Sequence, residues 1–321
     1  MKGQRTGLIT ADVKTSELLD SLVITPRQFK DYYFLRGVLR DALPSVKLHL
    51  SADGVWLAVQ DADMLLAVKQ GIDLRWSPEA KLFAENRQRV KRIHHKLHEE
   101  VSKIRLGGRE IAKNYLADII DLDVLDDHQW VNVAAMSLAE GYGLCLFDEQ
   151  GAGKTVTLIF AFDVLVAKDL VDIVLIVAPK SMVSEWPHDF VRFKGDLYKV
   201  KVISGTRQQK STAIFSGADV FVTNFETVVS MEDELRTMLR RHQLRAVLVV
   251  DESFYVKNLD AKRTRAIRRL RELCGWAFVL CGTPAPNEPQ DLIQQFNIVD
   301  FGLTFAGVDI PDDRETALSI V

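Results

Sequence analysis

The stretch "LFDEQGAGKT", Leu146–Thr155, decides the fold. It carries the end of a phosphate-binding loop, G-x-x-x-x-G-K-[ST], but the position five before Gly153 is Asp148 where that pattern has glycine. Gly151, Ala152 and Gly153 form a tight turn whose successive backbone N–H groups can point at the β-phosphate of a nucleotide. The following helix adds its positive end. Lys154 offers a mobile charge to the β- and γ-phosphates, and the Thr155 hydroxyl can hold Mg²⁺. A bare G-x-G-K-T recurs by chance. Its setting here, after the apolar "GLCLF" and before the helical "TVTLIFAFDVLVA", makes it specific.

Outward from the loop, the chain from about Ile120 to Asp300 alternates short continuous apolar runs with helical segments. The runs are "GLCLF", "IVLIVAP", "YKVKVIS", "DVFVTNF", "AVLVVDE" and "WAFVLCGTP". Continuous hydrophobicity means strands buried on both faces, and helices between them mean a parallel sheet covered on both sides. Right-handed crossovers then place every strand's C-terminal end on one edge, where such sheets bind ligands. Chemistry-bearing residues follow the runs directly. In "LVVDES", Asp251 is placed to bind Mg²⁺ and Glu252 to orient the water that attacks a γ-phosphate. An acidic pair alone is more often a solvated strand end; downstream of a phosphate loop the catalytic reading is preferred.

The bulk properties set limits. With 321 residues the chain has room for one large or two ordinary domains, and 47% hydrophobic with 26% charged residues is a globular composition. A net charge of −3 excludes a basic nucleic-acid coat, though not a local basic track. Cys145, Cys274 and Cys281 have neither disulfide nor metal-ligand spacing, which predicts a reducing, cytoplasmic setting. No apolar run approaches the ~20 residues of a membrane span.

The N-terminal zone, residues 1–110, reads as a smaller α+β domain. "VKLHLSADGVWLAV" predicts a hairpin around Asp53-Gly54. Ser77, Pro78 and Glu79 mark a helix start, Leu82, Val90, Ile93, Leu97 and Val101 make its apolar stripe, and Gly107-Gly108 predicts its end. Arg87, Arg89, Lys91 and Arg92 are expected on a solvated face. His94 and His98 have the i, i+4 spacing of a ligand pair, but no Cys or carboxylate cluster completes a metal site.

Taken as an ordered set, the motifs from about Leu125 to Asp300 resemble the first motor lobe of the Swi/Snf-type ATPases, helicase-like superfamily-two DNA translocases. Their loop reads D-E-x-G-x-G-K-T, so Asp148-Glu149 is a family mark. The resemblance implies a RecA-like lobe over residues 111–300, a three-layer parallel sheet with helices on both faces. It also implies ATP and Mg²⁺ as cofactors and double-stranded DNA as partner. "LDDHQWVNV" resembles the segment whose glutamine, here Gln129, reads adenine. "LIVAPKSMVSEWPHDF" and "VFVTNFETV" resemble the segments that would bring Lys180 and Thr223 to the DNA backbone. "DESFYVKN" and "LCGTPAPN" resemble the motifs carrying Asp251-Glu252 and the coupling residues Gly282, Thr283 and Pro284.

Two departures stand out. Phe254 occupies the place of a histidine expected to link the nucleotide site to Gly282-Thr283-Pro284. Residues 301–321 are expected to begin a linker toward a second lobe, whose arginines would reach the γ-phosphate. Nucleotide binding with little DNA-stimulated turnover by this chain alone is therefore expected. In the run "AKRTRAIRRLREL", Ala266, Ile267, Leu270 and Leu273 form an apolar face opposite the arginines, which favours a solvated face over a phosphate track. Two rival readings stay open: a P-loop kinase, and a non-catalytic nucleotide- or DNA-binding module acting for a partner protein.

Overall fold

A computed structural model describes residues 8–16, 21–69, 71–116, 124–258, 260–283 and 290–306. Internal packing divides the chain into two units, Met1–Lys91 and Arg92–Val321.

In the first unit, β1 (Ile9–Thr15), β2 (Ser21–Pro26), α1 (Tyr32–Ala42), β3 (Leu48–Ser51), β4 (Gly54–Ala58) and β5 (Ile72–Trp76) precede the long helix α2 (Pro78–Leu116). The strands form a mixed sheet of order β3-β4-β2-β1-β5, in which only β1 and β5 run parallel. Alternating side chains explain its two-sidedness: Ile9, Ala11 and Val13 of β1, and Leu22 and Ile24 of β2, are buried with Leu35 and Leu39 of α1. The expected hairpin is present, with Ser51 paired to Gly54. Gly54 is the first residue of β4 rather than part of the turn. A Cβ there would lie 2.8 Å from the Ile24 carbonyl oxygen, so close strand approach explains the glycine.

The start of α2 follows expectation, with Ser77 Oγ accepting from the Ala80 N–H at 3.2 Å. Its first straight segment also ends where expected: at Gly108 the backbone leaves the helical region (φ 60, ψ −155), and a second helical segment follows across this kink to Leu116. Arg87 departs from expectation, at 5% exposure: it lies one helical turn from the buried Phe83, Ala84 and Val90. Lys91 pairs with Asp63 at 2.7 Å. The His94 ring bonds the Tyr142 hydroxyl at 2.6 Å, a structural use of a residue that invites a metal reading.

The second unit continues with α3 (Asp127–Met136), β6 (Gly143–Leu146), α4 (Lys154–Ala167), β7 (Ile173–Ala178), α5 (Glu185–Lys194), β8 (Val200–Val202) and α6 (Arg207–Ile214). It closes with β9 (Val220–Asn224), α7 (Phe225–Ser230), α8 (Glu232–Arg241), β10 (Leu244–Asp251), α9 (Lys262–Arg271), β11 (Cys274–Leu280) and α10 (Gln290–Asp300). All six expected strands are found in one parallel sheet of order β6-β11-β10-β7-β9-β8. Every residue of β7 and β11 is buried, as continuous apolar runs require of central strands. Each such Val, Leu or Ile contributes about 1.5–3 kcal/mol by leaving water. On α9, Ala266, Ile267 and Leu270 are fully buried, Arg271 is buried with them, and other arginines of the helix are held by protein partners. Arg269 binds both Glu232 carboxylate oxygens at 2.5 and 2.6 Å, and Arg263 binds the Tyr255 carbonyl at 2.6 Å. Among the described residues no helix is long and apolar enough to cross a membrane.

Register brings the strand ends into one row. Leu146 pairs with Leu280, Leu280 with Asp251, Val250 with Val177, and Ala178 with Asn224. The phosphate loop, Cys281-Gly282, Asp251-Glu252, Pro179-Lys180 and Asn224 therefore leave the sheet along the same edge.

Candidate nucleotide site

The loop between β6 and α4 is shaped by its glycines. Gly151 (φ 84) and Gly153 (φ 77) are left-handed, and Gly153 caps α4. The positive φ of Gly153 demands glycine, and a Cβ there, 2.3 Å from Gln129 Nε2, would displace the Gln129 amide. Lys154 folds back over the loop, its Nζ donating to the carbonyls of Asp148 (2.9 Å) and Glu149 (3.0 Å). Asp148, the residue in the glycine's place, accepts from Asn132 Nδ2 at 2.8 Å and so ties α3 to the loop.

Gln129 is placed beside the loop and is 6% exposed. Its Oε1 accepts from the Asp126 N–H at 3.0 Å in a capping box, and its Nε2 donates to the Ala152 carbonyl at 3.2 Å. Its amide thus braces the loop at both ends of the group, where the resemblance implied an adenine contact. His128, which sequence reasoning passed over, meets the same carbonyl at 2.9 Å.

Asp251 ends β10 at 7% exposure. Its Oδ2 accepts from Trp186 Nε1 at 3.1 Å and its Oδ1 from the Glu252 N–H at 3.0 Å. Burial pushes its pKa up to about 6; the Trp186 bond opposes that shift, the Glu252 charge adds to it, and the Lys154 charge counters it. Glu252 adopts a left-handed conformation (φ 49, ψ 57), a strained geometry for a residue with a side chain. The Cys281 thiol lies 3.9 Å from Glu252 Oε2. Gly282 closes the row against the loop: a Cβ there would come within 2.7 Å of Gln150 Cγ and 3.6 Å of Lys154 Nζ. Thr283 is exposed, and Pro284 lies outside the described residues.

The two residues expected at a nucleic-acid backbone differ. Lys180 is exposed at the end of β7, on a cavity of about 470 Å³ that Lys210 and Asn224 also line. Thr223 is fully buried, its hydroxyl donating to the Ile203 carbonyl at 3.3 Å. A side-chain contact with DNA through Thr223 does not fit this position, because both faces of β9 are covered and Thr223 is buried along with Val220, Phe221 and Val222. Phe254, in place of histidine, packs against Tyr255 (ring centroids 4.6 Å), which stacks on Phe225 at 5.3 Å. An aromatic ladder thus joins the ends of β9 and β10.

The profile of the SNF2-related domain matches residues 67–304. The chain belongs to this family. SNF2-family relatives include YwqA of Bacillus subtilis, named as an ATP-dependent helicase/translocase, 31% identical over 50% of this chain and 17% of that protein. The DNA repair and recombination protein RAD54B of Gallus gallus is 26% identical over 53% of this chain and 19% of its own length. The ATP-dependent helicase fft3 of Schizosaccharomyces pombe is 28% identical over 56% and 20%. This SNF2-related chain thus spans at most 20% of the length of these curated relatives. The Sulfolobus solfataricus SWI2/SNF2 ATPase core in complex with dsDNA aligns with a TM-score of 0.46 at 20% identity, covering 60% of this chain and 37% of that one.

Proposed function

We propose that this chain is the ATP-binding lobe of an SNF2-type, DNA-dependent ATPase, which hydrolyses ATP and moves on double-stranded DNA together with a second RecA-like lobe. In this reading residues 111–300 form the lobe, residues 1–110 an accessory domain, and residues 301–321 the start of a linker. The observation that carries it is the single row of strand ends, which sets Lys154 and Asp251-Glu252 around one edge with Gly282 packed between them.

The residues fit Mg²⁺ and ATP. Gly151 and Gly153 leave a cradle that side chains would fill, and Lys154 rests on two carbonyls that a phosphate can replace. One carboxylate and one hydroxyl suit Mg²⁺, which keeps waters and phosphate oxygens as its other ligands. When bound, Mg²⁺ neutralises charge developing on the β- and γ-phosphate oxygens. Lys154 would exchange its carbonyl partners for phosphate, Thr155 and Asp251 would hold the metal, and Glu252 would orient a water and take its proton. Gly151, Ala152 and Gly153 present N–H groups, and Gln129 holds Ala152 in place. Lys180 faces the nucleic acid through backbone phosphates, a contact that is salt-sensitive and blind to sequence. Gly282, Thr283 and Pro284 couple the two.

The test is steady-state ATP turnover by this chain and by a full-length two-lobed protein, with double-stranded DNA, single-stranded DNA and RNA, each beside a Lys154→Ala control. Strong double-stranded DNA stimulation in the two-lobed protein and little in this chain supports the proposal. Equal stimulation of both overturns the need for a second lobe.

A further inference from the structure

The N-terminal unit carries a surface that its own fold does not explain. Helix α1 and the turn before it bury Leu35 and Leu39 and turn the opposite stripe outward. On that stripe Phe29 is 79% and Tyr33 76% exposed, the highest values among the aromatic side chains described. Arg36 and Arg40 follow at helical spacing, and no carboxylate among the described residues pairs with either. Asp31 is turned into the buried side; Arg40 is exposed and Arg36 half-buried, so the stripe is basic, with the exposed Asp41 at its flank.

Two details indicate construction. Tyr32 donates its hydroxyl to the Ser51 carbonyl at 2.8 Å, stacks with Phe29 (6.4 Å) and meets Tyr33 edge-on (5.8 Å). The outer rings are thereby backed by an anchored one. Gly37 sits inside the helix between Tyr33 and Arg40, where glycine is destabilising relative to alanine. A Cβ there would meet nothing within 4 Å, and the residue does not need positive φ. Neither packing nor backbone conformation demands a glycine here, and its presence leaves the helix backbone bare between Tyr33 and Arg40.

We propose that this stripe docks single-stranded DNA, with bases stacked on Phe29 and Tyr33 and phosphates on Arg36 and Arg40. Exposed rings suit unpaired bases, whose faces are accessible, and the unpaired arginines complement the phosphate charge. The choice of DNA over RNA rests on the DNA-motor reading above; the docking surface does not.

The experiment is fluorescence anisotropy of a labelled oligothymidylate with the whole chain. Tyr33→Ala and Phe29→Ala are each expected to weaken binding about tenfold. Arg36→Gln with Arg40→Gln should lower the salt slope by about 1.4. Gly37→Ala should raise the melting temperature while weakening binding several-fold, a pairing that a merely structural role cannot give. Mg·ATP binding should be unchanged in all of them, so failure of the stripe and failure of the nucleotide site are separable. Unchanged oligothymidylate affinity in the ring and Gly37 variants would overturn the proposal. So would tighter binding of oligouridylate, of a duplex of equal length, or of anionic lipid vesicles through the same residues.

Discussion

Trp186 and Asp251 meet across the sheet edge: the indole Nε1–H donates to the carboxylate Oδ2 at 3.1 Å, with both groups buried. Trp186 lies on α5, after β7, and Asp251 ends the neighbouring β10, so the adjacency of two parallel strands creates the contact. The bond fixes one carboxylate oxygen and favours its charged form against the burial that pushes the group's pKa up to about 6.

Trp186→Phe keeps most of the ring volume and removes the donor. A hydrogen bond to a charged group contributes about 1.5–3 kcal/mol, so the Mg²⁺ concentration that half-saturates nucleotide binding should rise by up to about ten- to a hundredfold at pH 7. The Asp251 pKa moves further up, so the deficit should widen at pH 6. Magnesium titrations of nucleotide binding at the two pH values check this; an unchanged requirement at both contradicts it.

Asp251 also couples stability to pH. Its folded-state pKa is raised from 3.8 to about 6, so the folded chain binds the proton more tightly than the unfolded one. Its contribution is therefore favourable in acid and is lost as pH rises from about 4 through 6, leaving a penalty at pH 7. Asp251→Asn should remove that penalty and stabilise the chain by up to about 3 kcal/mol at pH 7, a gain that shrinks as pH falls toward 4. Denaturant unfolding across that range tests it, and a gain independent of pH would point to another cause.

Asp148→Gly would restore the general loop pattern, yet it should weaken the site. It deletes the bond from Asn132 and frees the backbone that gives Lys154 its carbonyl partner. The expected cost is about 1–2 kcal/mol in stability, with weaker nucleotide binding. Thermal melting with and without Mg·ATP reads both; tighter nucleotide binding would refute the role given to Asp148.

What the sequence made legible follows from local physics. Six apolar runs became six strands, the edge strand β8 being only half-buried, because short apolar runs between helical segments have few other uses. The loop glycines, the Ser77 helix start and the apolar face of α9 were likewise readable from conformation and periodicity. Contacts between distant side chains were not. Nothing in either local pattern couples Trp186 to Asp251, or commits the Gln129 amide to the Ala152 carbonyl. Thr223 reads as a strand-end residue, but both faces of its strand are covered and it is buried, and Arg87 is drawn inward by the same helix stripe that buries Val90. The break at Gly108 was readable from the glycine pair, whereas the second helical segment that follows it to Leu116 was not.

Phe254→His would replace one ring of the Phe225–Tyr255–Phe254 ladder with a group able to hydrogen-bond. In a two-lobed protein the ratio of DNA-stimulated to basal ATP turnover is expected to rise, with Mg·ATP affinity unchanged. A fall in the ratio would mean that the aromatic ladder itself transmits the coupling.

The most direct test of the nucleotide site is equilibrium binding of Mg·ATP to this chain and to Lys154→Ala. Saturable binding that weakens at least about tenfold in the variant, with the unliganded melting temperature little changed, is the expected result. Equal affinity in the two proteins would contradict the placement of ATP on the Asp148–Thr155 loop.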